Sequence, residues 1–255
     1  MLLKRPFAAF VVVLFPYVLF AQKVTKPALS AKINKTISSL HAKVGVAVLG
    51  LDFQDSLFIN ADKHYPMQSV FKLPLAMAIL HKADKNQLPL NMNMRVPRER
   101  LDKDTWSPVL KDYPAGDIDM TITQLLKYTV SKSDNNTCDI LFGLAGGPAV
   151  VNSYIDSLGI KGINIAATEA EMKQGWNVQY TNWCQPVAMA RLLEVVYKGT
   201  ALSKPNNDLL MKFMLESENS PARIKGQLPK TAQVAHKTGT SNTDAHGLTA
   251  ATNDV

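Results

Sequence analysis

Ser69-Val70-Phe71-Lys72, running on into Leu73-Pro74-Leu75-Ala76-Met77-Ala78-Ile79-Leu80-His81-Lys82-Ala83, is the stretch on which the reading of this chain turns. From Leu73 to Ala83 the residues form a strongly apolar helical pattern with a period near 3.6. Pro74 falls in its early turns, where proline does least harm. The helix begins at Ser69, and Ser69 and Lys72, three apart, share one face of it. A serine in a first helical turn sits beside free backbone N–H groups and the positive end of the dipole, which stabilise an oxyanion. Its hydroxyl is a poor nucleophile until a base takes the proton. A lysine in a dry site that holds another cation has its pKa lowered and can be that base. Taken alone, the same four residues also describe a plain helix start with a surface lysine.

Two further motifs change the weighing. Ser133-Asp134-Asn135 follows 64 residues after Ser69 (69 to 133), and Lys237-Thr238-Gly239-Thr240 follows 104 residues after that (133 to 237). Ser133-Asp134-Asn135 lies between two helical patterns, where all three residue types also serve as simple caps. Its functional reading makes Ser133 a proton relay to a leaving nitrogen and Asn135 a partner for a substrate amide, while Asp134 orders the loop. Lys237 to Thr240 lies on an extended segment, and a glycine inside a strand marks close approach of a ligand or of another backbone. Lys237 adds positive charge near Lys72 and Ser133, which favours an anionic substrate. Thr240 offers a hydroxyl and a backbone N–H. The set as a whole describes one site for serine attack on an acyl carbonyl.

Outward from these motifs the order is strand pair, helical block, strand pair. A linker at 23–27 leads to a helical pattern over 28–41. Strand patterns over 44–51 and 56–60 flank a turn at 52–55. Helical patterns then cover 73–83, 122–130, 139–145, 149–158, 186–197 and 207–215, and extended patterns return at 234–240 and 247–252. This predicts an α/β protein: an antiparallel sheet with flanking helices, carrying an inserted all-helical lobe. The sheet lobe is expected at 28–63 and 218–255 and the helical lobe at 64–217, with the site in the groove between the lobes.

The chain has 255 residues, 46% of them hydrophobic and 19% charged, ordinary values for a globular protein with a sizeable core. Lys4 and Arg5 precede an almost unbroken apolar run from Pro6 to Ala21, which reads as a signal peptide cut after Ala21 and predicts export to the periplasm. The competing reading is an uncleaved anchor, but the run is short for a span and contains Pro16. No cysteine near the junction supports lipid attachment, and no later run could span a membrane. Stable membrane association is therefore not expected. The net charge of +7 becomes +5 once Lys4 and Arg5 leave. The lysines are scattered and no basic run interleaves with aromatics, so a nucleic-acid partner is not expected. Cys138 and Cys184 are expected to be free buried thiols. The histidines show no zinc-ligand spacing, so neither metal nor cofactor is expected.

In these motifs the chain resembles a class A serine β-lactamase over essentially everything after the leader. The resemblance implies a two-lobed α/β fold, a monomer, and hydrolysis of the β-lactam amide of penicillins and cephalosporins through an acyl-enzyme. It implies that Ser69 is the nucleophile, with Lys72 and Ser133 as proton-transfer groups. Asn135 would bind the substrate's side-chain amide, and Lys237, Thr238, Gly239 and Thr240 would line the carboxylate and carbonyl subsites. The N–H groups of Ser69 and Thr240 would form the oxyanion hole. It further implies a water-activating glutamate on the loop after the helical block. Glu169 stands at the expected distance, with Glu171 as its neighbour and rival. The acylation base, Lys72 or the glutamate through water, stays open at this point.

The loop departs from the commonest family pattern. Lys173 stands where an asparagine usually shares the water, and Ala167 and Asn182 stand where an arginine–aspartate bridge usually spans the loop. With Gln68 before the nucleophile, these features resemble the PER-like, extended-spectrum branch and imply a wider pocket. Arg223 resembles the arginine that supports carboxylate binding in some members, and Trp106 the aromatic at the mouth of the site. Arg223 could equally be an ordinary surface arginine, and Trp106-Ser107-Pro108 a packed loop. His236 is expected to be a satisfied strand histidine, and the Asn34-Lys35-Thr36 and Asn135-Asn136-Thr137 acceptor patterns to be coincidental. The family's chain normally runs on past Val255 into further strand and a C-terminal helix. The resemblance therefore carries the expectation that this stretch is truncated and by itself unstable or inactive. A DD-peptidase shares the serine–lysine chemistry, but a glutamate at position 169 argues against it; a non-hydrolytic penicillin sensor usually needs membrane spans, and the sequence shows none after the leader.

Overall fold

The computed structural model describes residues 26–51 and 55–255; the leader read at 1–21 lies outside them. These residues fall into two units, divided after Ala42. In the first, α1 (Lys26–Ser38) buries none of its own residues. Its end is closed by Ser39 and Leu40, whose N–H groups donate to the carbonyls of Thr36 and Ile37.

The second unit is built around α2 (Lys72–Asp84). Leu73, Leu75, Ala76, Met77, Ile79 and Leu80 have no exposed surface at all. A helix apolar on every side has to be surrounded, and this one is, by α4 (Ile122–Ser131), α5 (Asn135–Ala145), α6 (Pro148–Ser157) and α9 (Lys204–Leu215). Each large side chain so buried stabilises the fold by about 1.5–3 kcal/mol before entropy is counted. Pro74 occupies the first turn, where its missing N–H has no intrahelical partner to lose. The caps are legible locally. Thr121 and Gln124 form a reciprocal capping box on α4. α5 ends at Gly146, whose φ of 98° is a left-handed conformation that glycine adopts without strain. Three more helices, α3 (Pro108–Asp112), α7 (Glu169–Met172) and α8 (Pro186–Lys198), complete the set among the described residues.

The strands are short. β1 (Val46–Gly50) pairs antiparallel with β2 (Asp55–Ile59), Val46 opposite Ile59, and α8 packs on β1. β3 (Tyr65–Pro66), β7 (Trp183–Cys184) and β6 (Ile163–Asn164) form a three-stranded sheet in the order β3-β7-β6. β4 (Asn93–Val96) pairs with β5 (Ile118–Thr121), and β8 (Thr238–Thr240) with β9 (Thr252–Asp254). The α/β class and the helical insertion agree with the sequence reading, but the insertion at 64–217 is not wholly helical. β3, β7 and β6 tie its beginning to the segments at 163–164 and 183–184, and β4–β5 packs against α4, because backbone groups at those crossings need ladder partners once buried.

Two further differences concern the ends of the sheet lobe. The predicted extended run over 234–240 shrinks to β8, although Lys237 and Val255 also exchange both backbone bonds just before it. The run predicted at 247–252 begins in a turn at Gly247, bridges Thr243 through Thr249 and enters β9 only at Thr252. Asp244 Oδ1 accepts from the N–H groups of His246 and Leu248, at 2.8 Å each, and so gathers the chain locally. No ladder joins β1–β2 to β8–β9 among the described residues. Each two-stranded ribbon is marginal alone. The first leans on α8, and the second on the turn that carries Ser69. Val48 and Phe58 on the first ribbon remain about half exposed, at 50% and 48%. Cys138 and Cys184 are both free and buried, and burial pushes the Cys184 thiol up to about 12.

Candidate active site

Ser69 sits in a 3-10 turn (Gln68–Phe71) that feeds α2. The helix predicted to begin at Ser69 therefore opens with a tighter turn. Gln68 carries a φ of 48°, a left-handed conformation rare for a residue with a side chain. Its amide donates to Gln179 Oε1 at 2.7 Å, and Gln179 donates in turn to the Trp176 carbonyl. The strained residue is thereby fixed from the opposite wall.

Lys72 has no exposed surface. Its Nζ lies 3.1 Å from Ser69 Oγ, 2.9 Å from the Ser133 carbonyl, 2.6 Å from Asn135 Oδ1 and 2.8 Å from Glu169 Oε1. An ammonium has three N–H bonds, so four acceptors surround three donors and the longest contact, to the serine, is the easiest to exchange. Ser69 Oγ is itself 3.5 Å from Glu169 Oε1. Lys72 reaches the carbonyl of Ser133, not its hydroxyl. That hydroxyl accepts from Lys237 Nζ at 2.8 Å. Lys237 is likewise fully buried, and burial together with the charge of Lys72 holds its pKa well below the usual lysine range.

Asp134 ties down the loop that presents Ser133. Its Oδ1 accepts from Thr137 N–H as the cap of α5, and its Oδ2 accepts from Ser107 Oγ and Val109 N–H, all at 2.8 Å. Ser133 itself has a φ of 57°, a local strain held in place by those bonds. Asn135 gives its oxygen to Lys72 and donates from Nδ2 to Thr105 Oγ1 at 2.8 Å, which leaves one amide hydrogen for a ligand.

Glu169 and Glu171 separate cleanly. Glu171 closes a capping box on α7: its Oε2 accepts from Thr168 N–H, and Thr168 Oγ1 accepts from Glu171 N–H. Glu169 is the one that meets Lys72. Its position is set by Asp139, which sequence reasoning missed. Asp139 Oδ1 and Oδ2 accept from the N–H groups of Glu169 and Ala170, at 2.8 Å each. Burial, with the nearby Glu169 charge, pushes the Asp139 carboxyl up to about 6. The available signal was spacing, since Asp139 lies one helical turn beyond Asn135 on the same face of α5. Asn182 holds the loop from beneath: its Oδ1 accepts from the N–H groups of Ala166 and Ala167, and its Nδ2 donates to the Ala167 carbonyl. Lys173 swings outward to Asp102, 2.6 Å away.

β8 forms the other wall. Lys237 and Ser241 donate backbone bonds to β9 and its flank, so by antiparallel alternation Thr240 turns its N–H away from β9, and Thr240 lines the cleft with Ser69. Gly239 is where the wall meets the turn that carries Ser69. A Cβ there would lie 2.5 Å from the Met67 carbonyl oxygen and 3.2 Å from Ser69 N. Gly239→Ala should therefore cost about 1–3 kcal/mol and push β8 away from Ser69. Thermal denaturation and steady-state rates check this, and an alanine protein with unchanged melting and turnover would refute it. Arg223 lies along β8 and β9, donating from Nη1 to the Gly239 and Asn253 carbonyls and from Nη2 to Thr240 Oγ1 at 2.7 Å. Trp106 stands half exposed at the rim, its Nε1 donating to the Lys132 carbonyl.

The resulting cleft has a volume of about 790 Å³. Ser69, Ser133, Asn135, Glu169, Thr238, Thr240 and Trp106 line it, whereas Lys72, Lys237 and Arg223 act from behind that lining. A half-buried hydroxyl beside a buried lysine and a carboxylate, at the start of a helix, is equipped to attack a carbonyl and hold the oxyanion that forms.

A family model described as the β-lactamase enzyme family matches residues 28–255. The chain is 44% identical over 236 residues to the extended-spectrum β-lactamase PER-1 of Pseudomonas aeruginosa, an alignment covering 92% of this chain and 76% of that protein. It is 43% identical to β-lactamase VEB-1 of the same organism, covering 89% of this chain and 76% of that one. Among solved structures, TLA-3 extended-spectrum β-lactamase superposes with a TM-score of 0.88 at 46% identity, over 90% of this chain and 84% of the other. A β-lactamase from Chitinophaga pinensis DSM 2588 does so with 0.86 at 46%, over 88% and 83%.

Proposed function

The chain belongs to the β-lactamase enzyme family as a class A member, a serine hydrolase that opens the β-lactam amide and so gives antibiotic resistance, and from that premise we propose how its residues divide the reaction. Ser69 Oγ attacks the lactam carbonyl, and its proton passes to the coupled pair of Lys72 and Glu169. The two groups are 2.8 Å apart and both within 3.5 Å of that oxygen. A proton delivered to either belongs to the pair. The N–H groups of Ser69 and Thr240 hold the tetrahedral oxyanion. As the C–N bond breaks, Ser133 gives its proton to the leaving nitrogen while Lys237, 2.8 Å behind it, steadies the hydroxyl oxygen; the proton taken from Ser69 then passes from the pair to Ser133, which leaves Glu169 a free carboxylate and Lys237 unchanged. Glu169 then takes a proton from a water that attacks the acyl ester, and Ser69 leaves with its proton restored.

Asn135 takes the substrate's amide oxygen with its spare hydrogen. Lys237, Thr238 and Thr240 take the carboxylate, with Arg223 bracing Thr240. The observation that carries the reading is the contact between Glu169 and the Lys72–Ser69 pair, which equips the site to release its acyl-enzyme. A DD-peptidase or sensor has no use for that carboxylate. The open cleft of about 790 Å³ supports bulky cephalosporins as substrates. The basic pair and apolar run at the N-terminus support export to the periplasm, and a monomer follows from the same family reading. Mixing the protein with benzylpenicillin and following it by intact mass tests the proposal. A transient adduct with continuing product release is expected, and an adduct that persists for hours would exclude hydrolysis as the function.

A further inference from the structure

His236 and Asp254 form a buried pair that the reaction above does not use. Their side chains are 2% and 6% exposed, with His236 Nδ1 2.9 Å from Asp254 Oδ1. The carboxylate makes Nδ1 the protonated nitrogen, and Nε2 is buried without a partner. Burying a carboxylate and an imidazole costs free energy unless the arrangement is fully partnered. This one is not, which makes it a poor device for stability alone. Its other contact is specific: Asp254 Oδ2 accepts from the N–H of Ile224 at 3.1 Å.

The two partners of this carboxylate each adjoin a cation of the site. His236 immediately precedes Lys237, and its own N–H donates to the Met214 carbonyl, so the residue is held at both backbone and side chain. Ile224 immediately follows Arg223, whose guanidinium spans the Gly239 and Asn253 carbonyls and the Thr240 hydroxyl. The charge of Asp254 also favours the ammonium form of Lys237, against the burial that opposes it. From this geometry we infer that Asp254, with His236, is a positioning pair that aligns Lys237 and Arg223 together for the carboxylate of the substrate. The inference rests on the carboxylate-anchor role given to Lys237 above. Asp254 touches no reacting atom, so its effect is on recognition of the anion and not on the chemistry at Ser69.

The test compares a penicillin with its methyl ester, which lacks the anion, on wild type, Asp254→Asn and His236→Gln. Wild type should favour the acid by a large ratio of kcat/KM. If it does not, the anchor role itself fails and this inference with it. In the variants that ratio should shrink about tenfold, the scale of one charge-assisted hydrogen bond, mainly through KM for the acid. A merely structural pair would slow acid and ester alike. Equal losses on both substrates, or an unchanged ratio, would overturn the assignment while leaving the anchor role intact. Should Asp254→Asn not fold, His236→Gln decides by the same ratio.

Discussion

A Ser69→Ala protein should lose turnover by about a million-fold, the scale on which deleting a serine nucleophile acts in hydrolases built on a coupled set of residues. The argument runs through Lys72 as well as through the missing oxygen. With the serine hydroxyl gone, Lys72 keeps the Ser133 carbonyl, Asn135 Oδ1 and Glu169 Oε1. Three acceptors then face three N–H bonds, so the buried ammonium stays satisfied and the melting temperature should barely move. Nitrocefin hydrolysis and thermal denaturation read the two quantities separately. Residual turnover within a hundred-fold of wild type would remove Ser69 from its assigned role.

Glu169→Gln should act differently. The nucleophile and the oxyanion donors are untouched, so acylation proceeds, but nothing primes the water that frees the ester. Losing a positioned base costs about 10²–10⁴ in rate, and the lost step is the second one. Penicillin should therefore leave a stable mass increment on the protein, mapping to the peptide that carries Ser69. Glutamine keeps an oxygen acceptor near Lys72 but removes the anion that offsets its buried charge, so a fall in melting temperature, bounded by the about 3–5 kcal/mol scale of a broken buried pair, should accompany the adduct. Unchanged steady-state hydrolysis, or slow turnover with no adduct, would take Glu169 out of deacylation.

What the sequence made legible follows from how local each signal is. The helix of residues 73–83 and the caps at Thr121 and Asp134 are written in neighbouring residues, and so are the three motifs that meet around Lys72. Spacing favoured Glu169 but left Glu171 as a rival. The distinction comes from Thr168, whose capping box claims Glu171, and from Asp139, which holds the backbone of Glu169 from another helix. Asn135 binding Thr105, Gln68 binding Gln179 and Asp254 bracing two distant cations are likewise long-range pairings with no local pattern. The short strands at 65–66, 163–164 and 183–184 escaped for the same reason: two residues carry no period, and only the fold brings them side by side. The start of the 247–252 run was read as strand, but Asp244 Oδ1 gathers His246 and Leu248 into a turn there, and the regular ladder begins only at Thr252.

Asn182 carries a consequence for how this loop responds to its medium. The amide that pins Ala166 and Ala167 is neutral, buried and satisfied at both ends, so dissolved ions have no field to screen there. The Lys173–Asp102 contact on the outer side of the same loop is an exposed ion pair, and such pairs weaken as ionic strength rises. Brine would loosen the outer edge of the loop while its root stays fastened, which separates freedom at the rim of the cleft from order beneath Glu169.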